Sequence, residues 1–121
     1  MNQKSIAVIN GVQIILFEGE TLIVPLKPIV RALNVKYSSQ MEKLKKHEVL
    51  ADKQILEYAK AYDGKNCKMI CLPLIDALSF VSLINPRRVK EENKEHVLSH
   101  KKECYEALRN VLISNQSKFI R

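Results

Sequence analysis

Apolar residues recur at i, i+3, i+4 and i+7 along Leu26, Ile29, Val30 and Leu33, the spacing of one buried helix face. Pro25 and Pro28 fit only the first turn of such a helix, where amide donors lack intrahelical acceptors in any case. Asn34 follows where a left-handed residue would end the helix, a conformation that only glycine adopts more easily. Ser39 and Glu42 then form an S-x-x-E capping box, which predicts a second helix from about Gln40 to His47. Around it, Tyr37, Met41 and Leu44 are expected to face inward, and Ser39, Gln40, Lys43 and Lys46 outward. Hydroxyl and amide groups suit base edges, and ammonium groups suit phosphates. The pair therefore reads either as a helix-turn-helix or as an ordinary αα-hairpin with a solvated lysine face.

Elsewhere the pattern alternates between strand and helix signals. Ser5–Val8 and Val12–Phe17 flank Asn10-Gly11, a strong hairpin signal, and Thr21–Val24 predicts a third short strand after the turn Glu18-Gly19-Glu20. Lys53–Tyr62 and Asn66–Leu72 flank Asp63-Gly64 and predict a second hairpin, although the first arm alternates poorly and also fits a helix. From Pro73 the residues Leu74, Ile75, Leu78, Phe80, Val81, Leu83 and Ile84 leave no polar face, which predicts a buried helix, with Asp76 favoured in its first turn by the helix dipole. Asn85-Pro86 ends it. A long helix is expected from about Arg87 to Ser114, charged at its start and carrying a buried stripe at Val97, Cys104, Leu108 and Val111. With no repeat, linker or low-complexity tract, these elements predict one α+β domain over residues 1–121: small β-hairpins packed with the helix pair, a buried helix and a long C-terminal helix.

Composition narrows the classes of function. An excess of 20 Lys+Arg over 13 Asp+Glu gives +7, which favours an acidic partner such as nucleic acid. Three cysteines, an odd number, make no disulfide framework in a chain long enough to build its own core, so reduced thiols and a cytoplasmic setting are expected. No apolar run reaches the length of a signal peptide or a membrane span.

His96, His100 and Cys104 recur at intervals of four on the last helix, but the outer pair would stand about 12 Å apart at ~1.5 Å rise per residue. Cys67 and Cys71 fall about 13 Å apart on a strand at ~3.3 Å per residue, so neither set holds one metal ion, and no metal or cofactor is expected. A Gly-rich phosphate loop, G-x-S-x-G and H-E-x-x-H are all missing, so no catalytic residue is nominated and an enzyme is not expected. Arg87, Arg88 and Lys90 crowd a helix start, where cations oppose the dipole; they call either for local pairing with Glu91, Glu92 and Glu95 or for contact with phosphate or a partner.

Several stretches stand in a characteristic order: Val24-Pro25-Leu26-Lys27-Pro28-Ile29, Ala32-Leu33-Asn34-Val35 with Ser38-Ser39-Gln40, Leu72-Pro73-Leu74, Ile84-Asn85-Pro86-Arg87-Arg88-Val89-Lys90, and Glu103-Cys104-Tyr105-Glu106-Ala107-Leu108. In that order they resemble the amino-terminal domain of phage antirepressor proteins, a family related to Bro-N-type viral domains. Asn34 stands where glycine is usual in the family and Tyr37 where tryptophan is common, while the Gly-rich middle turn is reduced to Asp63-Gly64. The resemblance implies a phage or prophage protein that relieves repression of lytic genes. It leaves the partner open: related viral domains are regarded as DNA-binding, whereas the founding antirepressor binds repressor proteins. On the first reading Ser39, Gln40, Lys43 and Lys46 contact operator DNA, with Arg87, Arg88 and Lys90 as backbone clamps. On the second the same residues meet a phage repressor protein. A third reading is a protein-interaction module that forms homo-oligomers and does not bind DNA.

Overall fold

The structure, a computed structural model, describes residues 2–60, 64–85 and 94–119. Strands β1 (Asn2–Ile9) and β2 (Val12–Glu18) form the opening hairpin. Asn10 and Gly11 turn it with φ of 52° and 74°, both in the left-handed region that a two-residue type I′ turn requires. The Asn10 side-chain amide also donates to the Ala32 carbonyl at 3.0 Å, tying the hairpin tip to a helix. That helix, α1 (Leu26–Leu33), follows directly from β3 (Ile23–Pro25), with Pro28 in its first turn as expected.

Asn34 ends α1 with φ 55° and ψ 39°. Its N–H bonds the Arg31 carbonyl while the Val35 N–H bonds that of Val30, the paired bonds of a Schellman cap. Helix α2 (Tyr37–Lys46) begins three residues earlier than its sequence suggests. Lys36 occupies the N-cap position without a side-chain cap bond, so Ser39 and Glu42 lie inside the helix and the expected capping box does not form. Starting at Tyr37 gathers Tyr37, Met41 and Leu44 on one face against the core, and that burial outweighs the roughly 1 kcal/mol that a side-chain cap contributes.

A 3₁₀ turn (Leu50–Lys53) leads to β4 (Ile55–Lys60), and β5 (Asn66–Pro73) returns beside it. The first arm of this second hairpin is thus a strand over Ile55–Lys60, while Asp63 of the expected turn lies outside the described residues. The sheet has five strands in the order β1-β2-β3-β5-β4, and every neighbouring pair is antiparallel. One face, through Ile14, Leu16, Val24 and Leu72, packs under the helices against Leu26, Ile29, Val30, Leu44, Phe80 and Leu108. On the other face Ile15, Phe17, Ile23, Ala59, Met69 and Cys71 are buried among themselves with no helix in their cluster. Such burial requires the two hairpins to fold towards each other. The seam between β2 and β3, a single residue pair, Phe17 with Ile23, is narrow enough to allow this. The Lys60 N–H donates to Gln3 Oε1 at 3.2 Å, joining strands at opposite ends of the sheet.

Helix α3 (Leu74–Leu83) carries Asp76 in its first turn. It is not buried on every side as its composition suggests: Ala77, Leu78, Phe80 and Val81 are buried, while Ile75, Ser79, Ser82 and Leu83 face solvent. Helix α4 (Lys94–Phe119) lies against α1, α3 and β1. It buries Val97, Cys104 and Leu108, with Val111 half-buried. Lys101 Nζ donates to the Ser82 and Ile84 carbonyls, each at 2.9 Å, placing a cation at the negative end of α3.

Asn34 gives a direct test of the cap. Asn34→Gly should leave the urea midpoint unchanged or slightly raised, and Asn34→Ala should cost about 1 kcal/mol, because a Cβ without a local polar group is strained at positive φ. Equal stability of the two variants would show that the left-handed cap does not hold this turn.

Candidate functional site

Each helical residue turns by about 100°, so Gln40 lies three positions after Tyr37 and four before Leu44, on the shoulder of the apolar stripe. The structure withdraws it from water to 8% exposure, which corrects the expectation that it faces outward. On this shoulder Gln40 looks towards the final turn of α3. Gln40, Lys43, Leu44, His47 and Leu50 face Phe80, Leu83 and Asn85 across a cleft of about 300 Å³. Ser39 and Lys43 are half-buried, and of the four residues expected outward only Lys46 is fully exposed.

The outward stripe of α2 is instead Ser38, Glu42 and Lys45, flanked by Lys36 and Lys46. Its i, i+4, i+7 spacing, one residue on from Tyr37, Met41 and Leu44 and so about 100° round the helix from them, is present in the sequence. Phe80 and Leu83 belong to the cleft without any local signal, since they come from a distant helix. Asn85 lines the cleft and is the last described residue before the basic run; Arg87, Arg88 and Lys90 lie outside the described residues.

The rim is held in place by specific bonds. His47 Nδ1 accepts the N–H groups of Val49 and Leu50 at 3.2 and 3.1 Å, which turns the chain after α2 and leaves Nε2 as the ring's donor. Lys27 Nζ stands 5.8 Å from the centroid of the Tyr37 ring, a cation–π approach that ties α1 to the start of α2. Burial, and then the nearby Cys67 and Cys71, push the Tyr37 hydroxyl above its usual range, so it stays protonated at neutral pH.

The other candidate ligands do not converge. The His96 and His100 rings stack with centroids 6.5 Å apart, and His100 Nδ1 approaches Glu103 Oε1 at 3.4 Å without forming a hydrogen bond. Cys104, next in the four-residue series, points into the main core, and Cys71 into the second cluster. Among the described residues no three His, Cys, Asp or Glu side chains are grouped closely enough to hold a metal ion.

An antiparallel sheet with its helices gathered over one face defines an α+β domain. The family model of the P22_AR N-terminal domain matches residues 6–118, and the chain belongs to that family, the amino-terminal domain of phage antirepressors. The family is one of phage regulation and is not a known enzyme family. No curated protein and no solved structure gives a significant match. Among the described residues no helix is long and apolar enough to cross a membrane.

The buried thiols carry a pH signature. Burial pushes both Cys71 and Cys104 up to about 12 from an ordinary thiol value of 9.0, with Glu57 and Glu103 adding smaller upward pushes respectively. The unfolded chain therefore ionises them first as pH rises, so their contribution to stability is complete below about pH 9 and is lost between about pH 9 and pH 12. The urea midpoint should fall over that alkaline range, and by less in Cys104→Ala; parallel pH profiles for the two proteins would contradict the assignment.

Proposed function

We propose that this chain relieves lysogenic repression by gripping the phage repressor protein through the cleft between α2 and α3. The observation that carries this reading is the composition of that cleft: Leu44, Leu50 and Phe80 form an apolar floor and Leu83 an apolar lip, with the amides of Gln40 and Asn85 and the cationic Lys43 beside them. An apolar pocket rimmed by a few polar groups suits a protein anchor, because the buried side chain supplies affinity and the rim fixes its orientation. Leu83 is half exposed, so apolar surface stands ready at the mouth. Ser39 and Lys46, two turns apart on the same side of α2, extend the contact beyond the cleft. Lys43 and Lys46 favour a repressor segment that carries carboxylates beside its apolar anchor. The encounter takes place in the cytoplasm, where the three thiols stay reduced.

A second reading rests on a different observation. Lys27, Arg31, Lys36, Lys45, Lys46 and Lys53 are exposed on and around the helix pair, a cationic collar suited to phosphates. On that reading Arg87, Arg88 and Lys90 act as clamps on the backbone of operator DNA. Glu42, in the middle of the outward stripe, opposes it by placing a carboxylate where phosphates would approach.

Calorimetric titration of the full chain into the repressor of the same phage separates the readings. Leu83→Glu should weaken repressor binding by about tenfold or more, some 1.4 kcal/mol, without moving the unfolding midpoint. Absence of binding at micromolar concentrations, or binding indifferent to Leu83→Glu, would overturn the cleft assignment. Binding to operator DNA with a logarithmic salt slope that drops by up to about 1.8 in Lys45→Ala/Lys46→Ala would favour the collar instead.

A further inference from the structure

Strand β1 ends the sheet. It pairs with β2 on one side, and among the described residues no strand pairs with its other edge. An unpaired strand edge is a template for another strand, and soluble proteins usually blunt such edges with charge or distortion. Here the Lys60 N–H of β4 reaches Gln3 Oε1 near the start of β1, and among the described residues no strand lies beside the edge beyond it. Lys4 and the irregularity between Ser5 and Ala7 blunt part of the edge, yet beyond them Val8 is 64% exposed. Beside the edge runs a groove of about 550 Å³ between β1 and α4, with Ile6 and Ala7 on one side, Val111 on the other, and Glu103 and Glu106 along it. Glu18 and Lys4 also line it, so three carboxylates face one ammonium there, in contrast with a chain that carries +7 overall.

We infer that the outer edge of β1 pairs antiparallel with β1 of a second copy of this chain, forming a two-fold dimer with a continuous sheet. The irregularity in β1 selects the register. Between Ser5 and Ala7 the pairing with β2 shifts, so Lys4, opposite Leu16, and Ala7, opposite Ile14, lie on the same helix-facing side. Gln3, opposite Phe17, and Val8, opposite Gln13, share the other side. Residues directly opposite each other in an antiparallel pair occupy one face, so Lys4 of one copy meets Ala7 of the other and Gln3 meets Val8. Two-fold symmetry is satisfied, since each of these pairs occurs twice.

That register also matches charge. It carries Lys4 of each copy to the groove floor at Ala7 of the other, beside Glu103 and Glu106, and covers the exposed Val8. Within one copy Lys4 reaches Glu18 at 3.6 Å, with both side chains well exposed, a contact weak enough to be exchanged for the new one. The opposite edge, β4, exposes Leu56 and Tyr58, and its residues line neither this groove nor the cleft between α2 and α3.

Sedimentation velocity of the full chain between about 1 and 100 μM tests the dimer. The wild-type chain should reach twice the monomer mass within that range. Val8→Lys, at an exposed position, should raise the dissociation constant at least about tenfold. Glu103→Lys/Glu106→Lys should do the same, and Lys4→Glu added to that pair should restore most of the association. Leu56→Lys should leave the dimer unchanged. A chain that stays monomeric throughout, or a dimer that survives Val8→Lys or is broken by Leu56→Lys, would overturn the proposal.

Discussion

Four consecutive side chains of β2, Ile14 to Phe17, are withdrawn from water, two on each face of the same strand. Each large apolar side chain contributes roughly 1.5–3 kcal/mol when buried, so both faces of this strand demand a cover. The helices cover Ile14 and Leu16. The second hairpin covers Ile15 and Phe17, which is why the sheet folds about its narrow seam at Phe17 and Ile23. Because β3 runs straight into α1, the same seam fixes where the helix pair starts. The opening strand, the helix layer and the cleft all take their positions from β2.

Much of this organisation is legible in the residues. Asn10-Gly11 specifies a turn that only left-handed backbone can make, and Asn34 specifies a helix end of the same kind. The spacing of Leu26, Ile29, Val30 and Leu33 is that of a helix whose contacts are local enough to read without a partner. Reading fails where two signals compete. Ser39 and Glu42 have the spacing of a capping box, yet they lie within α2, because a cap contributes less than the burial gained by starting the helix at Tyr37. The all-apolar composition of α3 says nothing of which side meets the core, and Ile75 and Leu83 prove to lie outside it.

Charge and apolar surface are distributed unevenly. Around the helix pair the exposed groups are largely lysines, whereas the groove between β1 and α4 is lined by Glu103 and Glu106. A net charge of +7 therefore describes no single face of the molecule. Membership of the antirepressor family places the chain in phage regulation.

By itself the sequence determined the class of fold, the Asn10-Gly11 turn, the helix end at Asn34, the inward positions of Met41 and Leu44 and the family, because each depends on near neighbours or on an ordered series of short motifs. Only the tertiary structure decided the fate of Gln40. Its surroundings include Phe80 and Leu83, some forty residues away, and no local periodicity reports that a distant helix will face one shoulder of α2. The same holds for the face shared by Lys4 and Ala7, which follows from a register shift against β2 and not from alternation along β1 alone.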